Sequence, residues 1–316
     1  MWADAVFESG GVKGIGLVGA LCVAEEKGFT WRKLAGSSAG SIIAALLSAG
    51  YTGKELHVLL EQDFTDFLTP TWPTRFPYVG AALRIWIRKG LYSGVALERW
   101  VEQLLAAKGI RTFGDLKERE LYIIASDVTR GELLVLPKDL PAYGWKPEEF
   151  PIARAVRMSC SIPFMFEPAK LLHKPDKKVS LVVDGAVLSN FPVWLFDREE
   201  PRWPSLGFRL ISEEKELIHE IRGPFSLFRS ILYTMMDAHD NRYVHDHDQI
   251  RTIMVPAHGI KFTDFSISTE RKKELFESGV KAAEAFFQNW TFDKYLEARG
   301  KRNQVSYTLR PTKQRE

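Results

Sequence analysis

Two glycine-rich turns, each set between an apolar strand pattern and a helix pattern, constrain this chain more than any other feature. The first runs Val6-Phe7-Glu8-Ser9-Gly10-Gly11-Val12-Lys13-Gly14-Ile15-Gly16-Leu17-Val18-Gly19, and the second is Gly36-Ser37-Ser38-Ala39-Gly40. Strand-like Ala3 to Glu8 leads into helix-like Lys13 to Lys27, and strand-like Leu34 to Ser37 leads into helix-like Gly40 to Ala49. A βαβα opening of this kind predicts an α/β fold with a largely parallel sheet. Glycines at a strand-to-helix turn let backbone N–H groups converge at a helix N-terminus. Such a nest serves a dinucleotide pyrophosphate, a nucleotide phosphate or a transient oxyanion.

The alternation continues downstream. Lys54 to Gln62, Val95 to Lys108 and Glu270 to Gln288 carry helical spacing. Leu121 to Ser126, Leu133 to Leu136, Val179 to Val183, Ser205 to Leu210 and Arg251 to Val255 read as strands. No repeat or low-complexity linker divides the chain, so the expectation is one domain over residues 1–290 with a basic extension over 291–316. Phe64 to Tyr92 is unusually aromatic and proline-rich for a connection. It reads as an insertion packed on the core, in preference to a lipid-facing cap. Phe225 to Met236 is apolar nearly all round and reads as buried core.

Composition narrows the class. With 45% hydrophobic and 26% charged residues the chain has the makings of a soluble globular protein. Lys+Arg 43 against Asp+Glu 40 leaves a net charge of +3, which makes no electrostatic case for nucleic acid. Cys22 and Cys160 are the only cysteines, so no disulfide framework is implied and a reducing, cytoplasmic setting is the default. The opening MWADAVFESGG lacks the basic region and apolar core of a signal peptide and reads as the first strand. No stretch approaches the ~18 uninterrupted apolar residues of a spanning helix, which leaves room for peripheral contact with a membrane surface.

The second turn is a G-x-S-x-G. Its two glycines permit a sharp strand-to-helix turn that exposes a serine hydroxyl at the head of the next helix, so Ser38 is the candidate nucleophile. The glycine loop lies one strand upstream, and adjacent parallel strands present their C-terminal ends on one sheet edge. Backbone N–H groups of Gly10, Gly11 and Val12 are therefore placed to face Ser38 as oxyanion donors. Two bases compete. His258 would complete the order Ser38, Asp184, His258 of an α/β-hydrolase, but that fold needs more strands ahead of its elbow than this chain supplies. Asp184, ending an apolar strand before Gly185, is the better candidate.

In combination these residues resemble the patatin-like phospholipase family. Gly10-Gly11-Val12-Lys13-Gly14 looks like its oxyanion loop, Gly36 to Gly40 its nucleophile elbow and Asp184-Gly185-Ala186 its D-G-A motif. Ala155 to Phe166 resembles the family's small-x-S-x-P-x-x-F segment through Ser161 and Pro163, and Asn190-Phe191-Pro192 its N-x-P. The resemblance spans about residues 3 to 195, with weaker support through Phe265. It implies a three-layer α/β/α sandwich with a mostly parallel central sheet and a Ser38–Asp184 dyad without histidine. It also implies lipid acyl esters, of phospholipids or lysophospholipids, as substrates, and neither metal nor cofactor. Gly14, Gly36, Gly40 and Gly185 support the loop and elbow. Ser9 stands where the family usually has glycine.

Rival readings fare worse. Gly14-Ile15-Gly16-Leu17-Val18-Gly19 is a literal G-x-G-x-x-G, yet Gly14 comes too far past the strand and no acidic residue ends the second strand. Gly16 and Gly19 instead suit close packing of the helix on the sheet. No Gly-Lys-Ser/Thr triplet supports a nucleotide-phosphate loop. The His239 to Asp248 stretch holds many nitrogen and oxygen ligands at spacings that match no zincin, and reads as a solvated helix end. A catalytically silent lipid-binding protein on the same fold is the remaining alternative.

Overall fold

The computed structural model describes residues 1–61, 64–68, 77–198, 200–211, 221, 223, 230, 234, 246–257, 259–260 and 264–299. In chain order its strands begin with β1 (Trp2–Phe7), β2 (Thr30–Ser37), β3 (Gly90–Tyr92), β4 (Glu120–Asp127) and β5 (Glu132–Leu136). They continue with β6 (Phe164–Phe166), β7 (Ala169–His173), β8 (Lys178–Asp184), β9 (Ser205–Ile211) and β10 (Thr252–Pro256). Helices are α1 (Gly14–Glu26), α2 (Ala39–Ser48), α3 (Gly53–Leu60), α4 (Pro77–Arg88), α5 (Val95–Ala107), α6 (Ile152–Ser159) and α7 (Thr269–Gln288). The elements expected from the sequence are all present within a few residues. The short pieces α6, β3, β6 and β7 carry too few periods to be read from pattern, and α4 lies inside the aromatic, proline-rich stretch from Phe64 to Tyr92 that reads as a connection.

The fold is mixed α/β around a mostly parallel sheet of eight strands. Five of them run parallel in the order β10-β9-β1-β2-β4. Strand alternation sends Ala5, Phe7, Leu34, Phe208 and Ile253 into the main core with the helices. Val6 and Ala35 point to the opposite face, where Phe191, Val193 and Phe196 cover them. Phe7 and Phe208 stack at 4.7 Å between ring centres, filling the middle of the helix-covered face.

The far side of β4 departs from the parallel expectation. After α6 the chain makes the antiparallel hairpin β7–β8, so β8 runs against β4. Strand β5 pairs with Ile123–Asp127 along one edge of β4, which leaves β2 and β8 to share the other edge. Ser37 lies opposite Ile124 and Asp184 opposite Ala125. The C-terminal ends of β2 and β8 therefore meet head on along one strand. Asp184 reaches the expected place, but from the opposite direction, because a hairpin turns the chain where a crossover helix would be needed to keep it parallel.

Helix α1 is apolar around its whole circumference, and every residue from Gly14 to Ala24 is buried. It lies between the sheet and α7. A Cβ on Gly19 would stand 2.1 Å from the Phe276 carbonyl oxygen, and one on Gly279 would stand 1.9 Å from that of Gly16. The contact that needs these glycines is thus chiefly with α7, not with the sheet, although Gly16 also approaches Val255 of β10. Two helix backbones can approach this closely only where neither carries a side chain. Beyond α7, Tyr295 is buried with its hydroxyl 3.1 Å from the Ser205 hydroxyl, and Arg299 pairs with Asp197 at 2.9 Å. The rest of the basic C-terminal stretch lies outside the described residues.

This contact makes a direct prediction. Gly19→Val overfills the α1–α7 seam and lowers the unfolding free energy by about 3 kcal/mol or more, measured by urea denaturation. The exposed Val58→Ser, on α3, leaves it within about 0.5 kcal/mol.

Candidate active site

The second glycine turn is as tight as its sequence implies. A Cβ on Gly36 would lie 2.2 Å from the Gly40 carbonyl oxygen, and one on Gly40 would lie 2.3 Å from that of Phe7. Only glycine fits either position. Between them Ser38 adopts φ 51 and ψ −124, a conformation that costs a residue with a side chain about 1–3 kcal/mol. Local hydrogen bonds offset that strain. The Ser38 N–H donates to Ser159 Oγ at 2.8 Å, and its carbonyl accepts from Ser41 Oγ at 2.6 Å. Ser38 is 4% exposed, and its Oγ donates to Asp184 Oδ2 at 2.6 Å.

Asp184 is held as firmly. Its Oδ1 accepts from the Ala186 N–H at 2.9 Å, and its own N–H donates to the Ser161 carbonyl at 2.9 Å. Gly185 passes so close to β4 that a Cβ would stand 2.3 Å from the Ile124 carbonyl oxygen. Burial pushes the Asp184 carboxyl up to about 7, against the opposing pull of the hydrogen bonds from Ser38 and Ala186. A carboxylate that titrates near neutrality is a far stronger base than one in water, and the serine hydroxyl already points its proton at it.

The first glycine loop arches over the elbow. Gly11 has φ +55, in the left-handed region that favours glycine, and a Cβ on Gly10 would strike Leu210 Cδ1 at 2.3 Å. Gly14 opens α1, where a Cβ would make ordinary van der Waals contact with that of Ala39 at 3.5 Å. Among the described residues, no hydrogen bond uses the N–H groups of Gly10, Gly11 or Val12, the orphan donors ahead of a helix. Buried Glu8 holds the loop's base: it accepts from Arg209 Nε at 3.3 Å, Asn190 Nδ2 at 3.2 Å and the Leu210 N–H. The Ser9 N–H donates to the Asn190 carbonyl at 3.1 Å, so the Asn-Phe-Pro segment is tied to the loop twice.

Loop and elbow share a cavity of about 680 Å³, counting its part open to solvent. Gly11, Val12 and Ser38 stand on its wall, and the remainder is apolar, with Phe67, Trp100 and Phe265 prominent. Among the described residues Ser38 is the one hydroxyl-bearing residue on this wall. Cys160 also lines it, but burial first and the Asp184 charge second push its thiol well above the usual range, so it is an inert neighbour.

Residues 5–197 match the family described as patatin-like phospholipase, a span that contains every glycine, Ser38 and Asp184 of this site. The chain belongs to that family. The Bacillus subtilis protein YqhO is 46% identical over 297 residues, covering 92% of this chain and all of that one. Triacylglycerol lipase ptl3 of Schizosaccharomyces pombe is 28% identical over 193 residues, covering 60% of this chain and 38% of the lipase. Among solved structures, VipD from Legionella pneumophila matches with a TM-score of 0.55 at 15% identity. That match covers 90% of this chain and 66% of VipD, and it supports the patatin-like fold alone.

The patatin motifs bring Ser38, Asp184, Gly10, Gly11, Val12, Gly14, Gly36, Gly40 and Gly185 into one place. His258 lies outside the described residues, as do residues 239–245 of the histidine-rich stretch and nearly all of Phe225 to Met236. Among the described residues no group of three or more His, Cys, Asp or Glu side chains gathers as metal ligands. Pattern reasoning missed Ser159, Glu8 and Arg209. Ser159 lies inside the quoted small-x-S-x-P segment, but its bond to the Ser38 N–H is a tertiary fact.

The raised carboxyl makes stability depend on pH. A proton bound more tightly in the folded state favours folding below about pH 4, and that contribution is lost as the pH rises through about 7. Asp184→Asn, which never ionises, is therefore expected to gain stability over wild type between pH 4 and pH 8, by on the order of 4 kcal/mol in full. Thermal melts of both proteins at the two pH values check it.

Proposed function

We propose that this protein is a lipid acyl hydrolase that works through a Ser38–Asp184 dyad, with glycerophospholipids or lysophospholipids as its substrates. The observation that carries the reading is the 2.6 Å hydrogen bond from Ser38, which lines an apolar cavity, to a buried Asp184. Membership of the patatin-like family and likeness to a protein named triacylglycerol lipase support the ester chemistry. Among the described residues no helix is long and apolar enough to cross a membrane, which fits a protein that meets lipid at the surface.

The geometry supports the following steps. The acyl chain lies in the cavity with its ester carbonyl over Ser38. Ser38 Oγ attacks the carbonyl carbon while Asp184 Oδ2 takes the hydroxyl proton, and negative charge develops on the carbonyl oxygen. The amides of Gly10, Gly11 and Val12 receive that charge. Collapse of the intermediate expels the alcohol, which takes the proton back from Asp184, and leaves an acyl-serine. Water then attacks the acyl carbon, giving its proton to Asp184. As the second intermediate collapses, that proton returns to Ser38 Oγ and the fatty acid departs. These steps call on no metal or cofactor.

Ser38→Ala is expected to lose at least about 10³-fold in ester hydrolysis and all labelling by a fluorophosphonate probe, with an unchanged fold by circular dichroism. Asp184→Asn should lose a similar factor. For wild type, kcat/KM should rise with pH through about 7 and level off above it, because the ionised carboxylate is the base. Near-normal rates in Asp184→Asn would overturn the dyad. Absence of labelling in both wild type and Ser38→Ala would favour the silent lipid-binding alternative. Mass spectrometry of products from a defined phospholipid panel assigns the substrate.

A further inference from the structure

Helix α4 stands apart from the chemistry just described. On it Leu83, Trp86 and Ile87 follow the spacing of a single helical stripe, and all three are exposed. Trp86 is 84% exposed, more than any other large apolar side chain among the described residues. Arg88 and Lys89, both exposed, follow the stripe at the helix end. A soluble protein gains nothing from holding an indole in water.

The helix is fixed to the body by its other side. Arg84 donates to Glu167 at 2.8 Å and to the Gly90 carbonyl at 3.2 Å. Strand β3, which follows α4, pairs with β6, and Phe166 of β6 lines the apolar cavity beside Ser38. Glu167 is the next residue along. The exposed stripe is thus joined to the wall of the cavity beside Ser38 through Arg84, and Arg88, one turn further along the Arg84 face, and Lys89 are exposed at the helix end.

We propose that the outer face of α4 is the docking surface of this protein on an anionic phospholipid bilayer. Leu83, Trp86 and Ile87 enter the headgroup–acyl boundary, and Arg88 and Lys89 pair with headgroup phosphates. An exposed apolar stripe containing tryptophan on a helix that ends in exposed basic residues is the composition of an interfacial helix. Positive charge at that helix end complements the surface of a membrane rich in anionic lipid, and salt screens the attraction. The inference rests on the lipid-hydrolase reading for its reason but not for its test. Its consequence is that docking presents the cavity wall to the bilayer, so that an acyl chain has a short path to Ser38.

The test uses the full chain in the Ser38→Ala background, so that no lipid is consumed, and sedimentation with vesicles of mixed phosphatidylcholine and phosphatidylglycerol. The combined Leu83→Ser, Trp86→Ala and Ile87→Ser variant is expected to bind these vesicles at least about 10-fold more weakly. The paired Arg88→Glu and Lys89→Glu variant should lose the preference for mixed over pure phosphatidylcholine vesicles. With Ser38 restored, both variants should hydrolyse a monomeric short-chain nitrophenyl ester at wild-type kcat/KM and melt at the wild-type temperature. Failure of the parent protein to bind the vesicles, or binding by the triple variant at parental strength, would overturn the proposal. Failure of wild type to hydrolyse the monomeric ester would instead strike the hydrolase reading and leave the docking surface standing.

Discussion

One hydrogen bond, from the Ser38 hydroxyl to the Asp184 carboxyl at 2.6 Å, sets the demands that the rest of the structure meets. It joins residues far apart in the chain, and the joint is made by β4. The strand offers a single edge to β2 below and β8 above, so two chain ends that run toward each other stop with Ser38 and Asp184 in contact. Sheet hydrogen bonds fix both ends at once. Side-chain flexibility has little to do with the alignment.

Each member of the pair is held at a cost. Ser38 is strained in its backbone, and Asp184 is stripped of water, which disfavours its charge. The glycines offset the first cost by letting neighbouring backbone close in where any side chain would collide. Burial explains the second: Asp184 is 1% exposed, held between Ser38 and β4, and the loss of water raises the basicity of its carboxyl.

The glycines of the first loop divide by what they touch. Gly11 is required at the loop by its left-handed φ, and Gly10 leaves room for the Leu210 side chain to pack against the backbone. Gly16, Gly19 and Gly279 serve a different purpose, bringing α1 and α7 into backbone contact and so setting where α1 and the loop ahead of it stand. Glu8 connects the two halves of the arrangement, since it reaches from the end of β1 to Asn190 of the motif that follows Asp184 and to β9. The loop is consequently positioned by the elements it must face.

Much of this was legible in the sequence because it is local. Strand–glycine–helix order, the G-x-S-x-G and an apolar strand ending in Asp-Gly are written in consecutive residues, and they sufficed for the α/β class, the family and the candidate pair. The antiparallel course of β8, the bond from Ser38 to Ser159, the α7 contact of Gly16 and Gly19, and the outward stripe of α4 were not. Each depends on which distant segments lie side by side. Periodicity reports the two faces of an element but not its neighbour, and the tertiary structure alone decided that Asp184 meets Ser38 from the opposite direction and that Trp86 meets solvent.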